Sequence, residues 1–321
     1  MDPAITLDMT MDALLDLVLV VMLLVMAGWS ILTRRMFSAV VIFMVYGLLL
    51  ALAWVRLAAV DVALTEAAIG SGVTGMLLLN AAVALSATEN TVAPMRRLPR
   101  FAAALFCLLI AAGLVVLVLY PVEEPATLAP EAMLSLAESG LGNPVAGVLF
   151  VYRAFDTLLE KVVLLLALIG VWSLAPNNLW GGVPGLRIFT QRDSIMVFLA
   201  QTLPPFGIMV GIYMFWVGAK EPGGAFQGGA VLAAMWLLVM IAGLRGVPPI
   251  GRQSLRLMMV VGPIIFIGIG IAGIFVAGSF LAYPLGYAKP LIVVIETTLT
   301  LSIGVTLGLL AAGPPEREAQ P

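Results

Sequence analysis

The stretch Tyr152-Arg153-Ala154-Phe155-Asp156-Thr157-Leu158-Leu159-Glu160-Lys161 places four ionisable side chains between two apolar runs of sequence. In a helix, Arg153, Asp156 and Glu160 fall within roughly a 60° arc of one face, while Lys161 lies about 80° away from Arg153. A charge at bilayer depth costs at least ~2.5–3.5 kcal/mol, so such a cluster must be paired or face a wet interior. It is either a set of structural ion pairs or a site on an ion or proton path.

The composition is that of a polytopic membrane protein, since 62% of the residues are hydrophobic and 11% are charged. The net charge of −2 gives no reason to expect a nucleic-acid partner. Without histidine and with Cys107 as the one cysteine, the chain offers no imidazole metal ligand, iron–sulfur cluster or internal disulfide. The nucleotide-binding patterns GxxxxGK and GxGxxG are also absent from the sequence, so we predict neither a cofactor nor a bound metal.

Nine apolar segments each supply the roughly 20 residues that a helix needs to cross a bilayer. The predicted fold class is therefore all-α. The amino terminus is acidic where a cleavable signal would be basic, so the first segment is predicted to be retained. The fifth segment contains the charged stretch and is the one most open to a break or a tilt. The segments are Ala13–Leu32, Met36–Val55, Val62–Leu85, Phe101–Tyr120, Ala146–Leu174, Ser194–Val217, Ala225–Leu244, Leu255–Phe275 and Lys289–Ala312.

Basic residues in the loops predict the orientation, because cytoplasmic loops carry an excess of Lys and Arg. They place the amino terminus outside and the carboxyl terminus in the cytoplasm, in the cell inner (plasma) membrane. Linkers at 88–100 and 175–193 divide the spans into groups of three, two and four, and an acidic loop at 122–143 lies outside. The cytoplasmic side holds Arg34, Arg35, Arg96, Arg97, Arg100, Arg187, Arg192, Arg245, Arg252, Arg256 and Arg317, and the outer side holds Arg56, Lys220 and Lys289.

The third segment carries an acidic residue more than one helical turn inside the membrane. It begins Asp61-Val62-Ala63-Leu64-Thr65-Glu66, with Asp61 near the outer interface, where it can cap the helix. The face of Glu66 continues through Val73 to Asn80, so a carboxyl and an amide share one stripe. Glu66 is either a neutral, hydrogen-bonded structural group or a carboxyl that exchanges a proton or binds Na⁺.

The last segment contains a further candidate, Glu296, which is followed by several hydroxyl residues. Hydroxyls at this density often bond back to the backbone of their own helix, which favours a structural role for them. Glu296 stays a third candidate site. The hydroxyl residues are Thr297, Thr298, Thr300, Ser302 and Thr306.

Between the sixth and seventh segments lies Gly218-Ala219-Lys220-Glu221-Pro222-Gly223-Gly224-Ala225-Phe226-Gln227-Gly228-Gly229. Its glycines and proline indicate a tight reversal with close packing. Irregular backbone at membrane depth can also expose carbonyl groups to an ion. We favour the tight turn and keep the ion ligand as the alternative.

This glycine-rich segment resembles the signature Gly-His-Asn-x-Pro-Gly-Gly-Gly-Phe-x-Gly-Gly of the B-type (MnhB) component of Mrp-type multisubunit Na⁺/H⁺ antiporters. Related membrane-bound hydrogenase complexes have the same component. The chain departs at Ala219, where many members have His, and at Ala225, where they have Gly, so no role of that His carries over. The matching positions are Gly218, Pro222, Gly223, Gly224, Phe226, Gly228 and Gly229.

Two other motifs resemble the carboxyl-terminal part of the large, A-type component of the same antiporters. Residues 61–66 are similar to its Asp-x-Ala-x-Thr-Glu pattern, and residues 155–160 are similar to its Phe-Asp-Thr-x-x-Glu pattern, with Leu159 where Gly is frequent. The chain thus resembles a fusion of three regions. Residues 1–95 (three helices) and 96–178 (two helices) are like the tail of the A-type component, and residues 179–321 (four helices) are like the B-type component.

The resemblance implies a membrane subunit of a multisubunit Na⁺/H⁺ antiporter or of a complex I-related ion-translocating assembly, without enzymatic activity of its own. The implied partners are other Mrp-like membrane subunits, including the large antiporter-like ones, together with Na⁺, H⁺ and the lipid bilayer. Glu66 and the pair Asp156/Glu160 would line an ion pathway, with Arg153 and Lys161 tuning their charge. One alternative is a structural adaptor. The other is a self-contained secondary transporter, and the lack of internal repeats in the sequence disfavours that transporter.

Overall fold

A computed structural model of the protein describes residues 3–85, 97–120, 127–186, 195–284 and 286–317. These residues are almost entirely helical, and two short strands, Val183–Pro184 (β1) and Pro315–Arg317 (β2), pair antiparallel. The predicted fold class, an all-α polytopic membrane protein, is confirmed. The predicted linker segments 88–96 and 187–193 and the loop segment 122–126 lie outside the described residues, as do Arg96, Arg187 and Arg192.

The first part of the chain forms a layer of three long helical rods. The second rod packs against the first and against the whole length of the third. A π-helix interrupts the third rod, where one extra residue per turn rotates the following side chains relative to an α-helix. The elements are α1 (Pro3–Leu32), α2 (Met36–Arg56), α3 (Val60–Thr65), the π-helix Glu66–Val73 and α4 (Thr74–Leu85).

The middle part contains a long exposed helix and a broken span. Asn143 caps the short helix that follows it, since its side-chain oxygen accepts a hydrogen bond from Val145 N at 2.9 Å. The backbone then leaves helical geometry at Arg153, with φ −129° and ψ 37°. The elements are α5 (Arg97–Leu119), α6 (Ala129–Leu136), a 3₁₀ turn at Ala137–Ser139, α7 (Pro144–Gly147), a second π-helix at Val148–Tyr152, and α8 (Ala154–Trp172).

The last part is a four-helix group with its final helix at the centre. This helix packs against its three partners and against α8, and it buries Ile292, Ile295, Leu299 and Ile303 completely or almost so. Burial of such side chains contributes about 1.5–3 kcal/mol each in water, and in a membrane it supplies the close contacts that hold helices together. The helices are α9 (Ile195–Val217), α10 (Ala225–Ile241), α11 (Gln253–Val276) and α12 (Ala288–Ala312).

Seven helices in the described part of the chain are long and apolar enough to cross a membrane. The helix pair Ala129–Ser139 and Pro144–Tyr152 is bent by 87°, and counting this pair as one span raises the number to eight. Two predicted spans differ from the rest. The span predicted at Ala146–Leu174 is not one helix, because it breaks at Arg153, and α10 is shorter than a full crossing at 17 residues. The count of nine and the orientation stay predictions.

The glycine-rich segment forms the tight turn that we favoured, followed by close helix crossings. Gly223 and Gly224 have φ values of 151° and 141°, a region that other residues rarely adopt. A methyl group added at Gly228 would lie 2.6 Å from the backbone oxygen of Gly211 on α9. A methyl group at Gly229 would lie 2.8 Å from Ile303 on α12. The segment therefore sets the spacing of three helices.

We predict that Gly228→Ala destabilises the protein, because the added methyl group must push α9 away from α10. Overpacking of this kind costs about 1–3 kcal/mol. Thermal unfolding of the purified full chain in detergent, followed by tryptophan fluorescence, measures it. The matched control is Gly170→Ala on α8, where nothing lies within 4 Å of the added methyl group and stability should stay level or rise. Equal unfolding temperatures for both variants would contradict this packing.

Candidate functional site

A cavity of about 360 Å³ brings together residues from all three sequence motifs. It lies between α3, the second π-helix, α8, the glycine-rich turn and α12. Its walls contain three of the predicted ion-pathway residues, Glu160, Lys161 and Glu296, and also Asp61. We call it the charged cavity. Its other polar side chains and its matching positions of the glycine-rich signature are Thr65, Thr157, Gly223, Gly224, Phe226 and Gln227.

Lys161 is buried at one wall of the charged cavity, with its side chain 6% exposed. Its Nζ atom lies 2.9 Å from Glu160 Oε1, and the Glu160 side chain is 44% exposed. The same Nζ atom lies 4.7 Å from the centroid of the Phe226 ring. A desolvated ammonium is attracted by the negative face of an aromatic ring. Lys161 is therefore balanced by one half-exposed carboxylate and one aromatic face.

Glu296, on α12, also lines the charged cavity and is buried almost completely, at 1% exposure. Its Oε2 atom has no hydrogen-bond partner, and within the described residues it forms no ion pair. The neighbouring hydroxyls do not reach the carboxyl: Thr300 Oγ1 donates to the Glu296 carbonyl at 2.7 Å, and Thr306 Oγ1 to the Ser302 carbonyl at 2.7 Å. A buried polar group left without a partner is costly, and such groups in native proteins often mark functional sites.

The side chain of Asp61 bonds to the glycine-rich turn, which lies far from it in the sequence. Its Oδ1 atom accepts a hydrogen bond from Gly223 N at 2.8 Å, and its Oδ2 atom accepts one from Asn143 Nδ2 at 3.3 Å. Asn143 Nδ2 also donates to the carbonyl groups of Gly218 and Glu221, both at 3.1 Å. These bonds join α3, the start of α7 and the turn before α10. We call them the Asp61 clamp.

One turn deeper, a second contact joins the same two regions. Gln227 Nε2 donates to Thr65 Oγ1 at 3.0 Å, and Thr65 Oγ1 donates to the Asp61 carbonyl at 2.9 Å. A methyl group added at Gly224 would lie 3.2 Å from Gln227 Oε1 and 3.6 Å from Glu296 Oε1. The absence of a side chain at Gly224 therefore leaves room for these two oxygen atoms beside the backbone.

Arg153 and Asp156 lie outside the charged cavity. They form an ion pair of 2.5 Å with side chains 71% and 52% exposed, at the edge of a different, open cavity of about 800 Å³ that also contains Glu138 and Tyr283. Burial raises the pKa of the Tyr283 phenol above its usual range. Asp156 and Glu160 are one turn apart on α8, but Glu160 lines the charged cavity and pairs with Lys161, whereas Asp156 pairs with Arg153 at the break before α8. The four charged residues are thus divided between two cavities.

Glu66 and Asn80 also lie outside the charged cavity. The Glu66 carboxyl faces α2, since a methyl group added at Gly47 would lie 3.3 Å from its Oε1 atom. Asn80 is exposed, and Val73 lines a separate apolar cavity. The expected stripe from Glu66 to Asn80 fails because the π-helix changes the angular spacing of the residues.

Sequence reasoning missed the partners of the turn. Asp61 was expected to cap its own helix, but its side chain bonds to residues 82 and 162 positions away. Asn143, Thr65 and Gln227 were not singled out. The one local signal was Asn143 before Pro144, which is typical of a helix start. In the described part of the chain, no group of three or more acidic or cysteine side chains could hold a metal ion.

Comparisons with known proteins agree with the expected resemblance to membrane subunits of Mrp-type antiporters and related complexes. Residues 21–87 match the family model MbhD, described as the D subunit of MBH, and residues 195–312 match MnhB, a domain related to the MnhB subunit of Na⁺/H⁺ antiporter. The resemblance to Mrp-type subunits is confirmed. The chain thus contains an MbhD region followed by an MnhB-related region, and these matches support a membrane subunit of the Mrp and MBH type.

The structure is similar to a chain in the Mrp complex from Dietzia sp. DQ12-45-1b, with a TM-score of 0.72 and 25% identity over 95% of this chain and 35% of that one. It shares its fold with a chain of the membrane-bound sulfane sulfur reductase, an archaeal respiratory membrane complex. The TM-score is 0.56 at 24% identity, and the match covers 66% of this chain and 96% of that one. An uncharacterized protein of Methanocaldococcus jannaschii is 30% identical over 154 residues, 43% of this chain and 59% of that protein. The chain thus spans less than two thirds of the M. jannaschii and Dietzia chains.

We predict that Asp61→Asn destabilises the protein. The new amide nitrogen would face either Gly223 N or Asn143 Nδ2, so that one donor in a buried site meets another. An unsatisfied buried group costs about 1–3 kcal/mol. Thermal unfolding of the full chain is the measurement. Asp156→Asn makes the same substitution in an exposed ion pair, which contributes only about 0–1 kcal/mol. If the two variants unfold alike, the Asp61 clamp does not hold the turn.

We predict that Phe226→Leu also destabilises the protein, because the Lys161 ammonium loses the aromatic face that it contacts. Desolvated cation–π contacts contribute roughly 2 kcal/mol. Phe226→Tyr keeps the ring face and is the matched control. The difference in unfolding temperature between the two should disappear in a Lys161→Met background. A difference that persists there would assign the effect to packing alone.

Proposed function

We propose that this chain is an ion-conducting membrane subunit of a multisubunit monovalent cation (Na⁺)/proton antiporter or of a related ion-translocating assembly. The observation that carries the proposal is the charged cavity, in which Glu160, Lys161 and Glu296 meet inside a bundle of apolar helices. Charges at this depth are costly and belong to ion or proton paths unless they are locked in pairs. The MnhB-related and MbhD regions support the antiporter class.

The ionisable groups that line the charged cavity have complementary properties. Glu296 has a carboxyl oxygen without a hydrogen-bond partner, so it is free to take up a proton or to bind a cation. Lys161 and Glu160 form a pair whose carboxylate is half exposed, so it can exchange with the surroundings. A cavity of about 360 Å³ is large enough for several waters to bridge these groups. In this proposal, protons or Na⁺ move between the pair and Glu296.

The other predicted pathway residues would act at the edges of this route. Arg153 and Asp156 lie at the open cavity of about 800 Å³, which would serve as the entrance on the side predicted to be outside. Asn80, which is exposed, would face a neighbouring protein of the assembly, and Glu66, whose carboxyl faces α2, would act away from the charged cavity.

We infer that the chain works only within a larger assembly. Its proposed partners are other Mrp-like membrane subunits, including the large antiporter-like ones, in the plasma membrane, with Na⁺ and H⁺ as the transported ions. It would transport rather than catalyse. The division into 1–95, 96–178 and 179–321 remains part of this proposal, and the matched regions 21–87 and 195–312 fall within the first and the third.

A second candidate function is that of a structural adaptor between subunits. The observation that favours it is the Asp61 clamp, in which both oxygens of a buried carboxylate are used to fasten the turn. The two functions differ in what happens when the free carboxyl of Glu296 is removed, because an adaptor does not need that group to titrate.

We predict that Glu296→Gln abolishes ion exchange by the complete complex while leaving its assembly intact. The amide has the same shape but cannot carry a proton, and removal of such a group lowers proton-transfer rates by roughly 10²-fold or more. Na⁺-driven proton movement in everted membrane vesicles measures exchange, and native gel electrophoresis measures assembly.

The matched control is Glu131→Gln, the same substitution at an exposed carboxyl that lines neither the charged cavity nor the open cavity. It should exchange ions at the rate of the natural protein. Normal exchange by an assembled Glu296→Gln complex would reject the conducting role and leave the adaptor.

A further inference from the structure

A separate cavity of about 580 Å³ lies where α9 ends and α12 begins. Its polar wall contains Tyr213, Trp216, Lys220 and Lys289, and its apolar wall contains Val217 and Val293. None of these residues lines the charged cavity. Because α9 ends at Val217 and α12 begins at Ala288, the cavity is at the level of the membrane surface.

The two lysines give this cavity a positive charge, and neither of them forms an ion pair with a described residue. The ion pairs among the described residues involve Arg56, Arg153 and Lys161, and neither Lys220 nor Lys289 takes part in one. The residues that line the cavity include no acidic side chain. Two ammonium groups on one cavity attract an anion, and each contributes about 1 kcal/mol toward a charged headgroup near a membrane surface.

The aromatic side chains place the cavity against lipid. Tyr213 and Trp216 are one helical turn apart on α9, with 64% and 69% of their surface exposed. Such rings are enriched where hydrocarbon meets the headgroups. Beside them, the valines present an apolar surface that an acyl chain can contact.

The geometry points to a binding site for an anionic phosphate headgroup, with Lys220 and Lys289 as its charged ligands and Tyr213 and Trp216 as its aromatic walls. The occupant that satisfies both the basic and the apolar wall is an anionic phospholipid. Inorganic phosphate shares the charged chemistry but leaves the apolar wall uncovered. A bound lipid would fix the spacing of α9 and α12 at their surface ends.

Native mass spectrometry of the full chain, with phosphatidylglycerol or phosphatidylcholine added, tests the site. We expect the natural protein to retain one phosphatidylglycerol in preference to phosphatidylcholine. The double variant Lys220→Gln/Lys289→Gln should bind phosphatidylglycerol roughly 30-fold more weakly, because two attractive charges are lost. Lys220→Arg/Lys289→Arg keeps the charge and should bind like the natural protein, which separates loss of charge from loss of fold.

The matched control is Arg245→Gln/Arg252→Gln, which removes two exposed positive charges from the opposite end of the bundle and should leave binding unchanged. Inorganic phosphate at millimolar concentration is added in a separate arm. Retention of phosphatidylglycerol in its presence supports the lipid as occupant, and displacement by phosphate supports the headgroup phosphate as the recognised part. Equal binding of both lipids, or undiminished binding by the Lys220→Gln/Lys289→Gln protein, would overturn the proposal.

Discussion

The carboxylate of Asp61 is bonded to the amide of a glycine 162 residues later, and much of the architecture depends on that bond. The amide of Gly223 points toward Asp61 because the turn adopts backbone angles that only glycine accepts without strain. Once the turn is fixed, Phe226 lies against Lys161 and Gly224 lies beside Glu296. A polar contact between distant parts of the chain thus arranges the groups that surround the charged cavity.

This arrangement separates two kinds of buried acid. Asp61 has partners for both of its oxygens and behaves as part of the framework. Glu296, on α12, is buried more deeply and has an oxygen without a partner. In a medium with few alternative hydrogen-bond donors, the bonds of Asp61 fix its position, whereas the free oxygen of Glu296 leaves that carboxyl without a fixed partner. The two acids can therefore serve one cavity in different roles.

Much of the fold could be predicted from the sequence. A long apolar segment in a bilayer must satisfy its backbone hydrogen bonds internally, and a helix does so. The candidate residues Glu160, Lys161 and Glu296 also follow from the cost of charge among apolar residues. Their grouping could not be predicted. A helical wheel assumes an unbroken period, and the break at Arg153 and the π-helix at Glu66–Val73 both violate that assumption. The roles of Asp61 and Asn143 depend on long-range contacts, which local patterns do not encode.

The break at Arg153 has an electrical effect. In an unbroken span the peptide dipoles add along the whole length, so that partial charges appear only at the two membrane surfaces. Here α8 begins anew at Ala154, so its amino-terminal end forms partway along the predicted fifth crossing. Asp156 lies in that first turn, where a negative charge is stabilised. A fixed step of electrostatic potential therefore lies beside the open cavity, next to a carboxylate that Arg153 already holds in place.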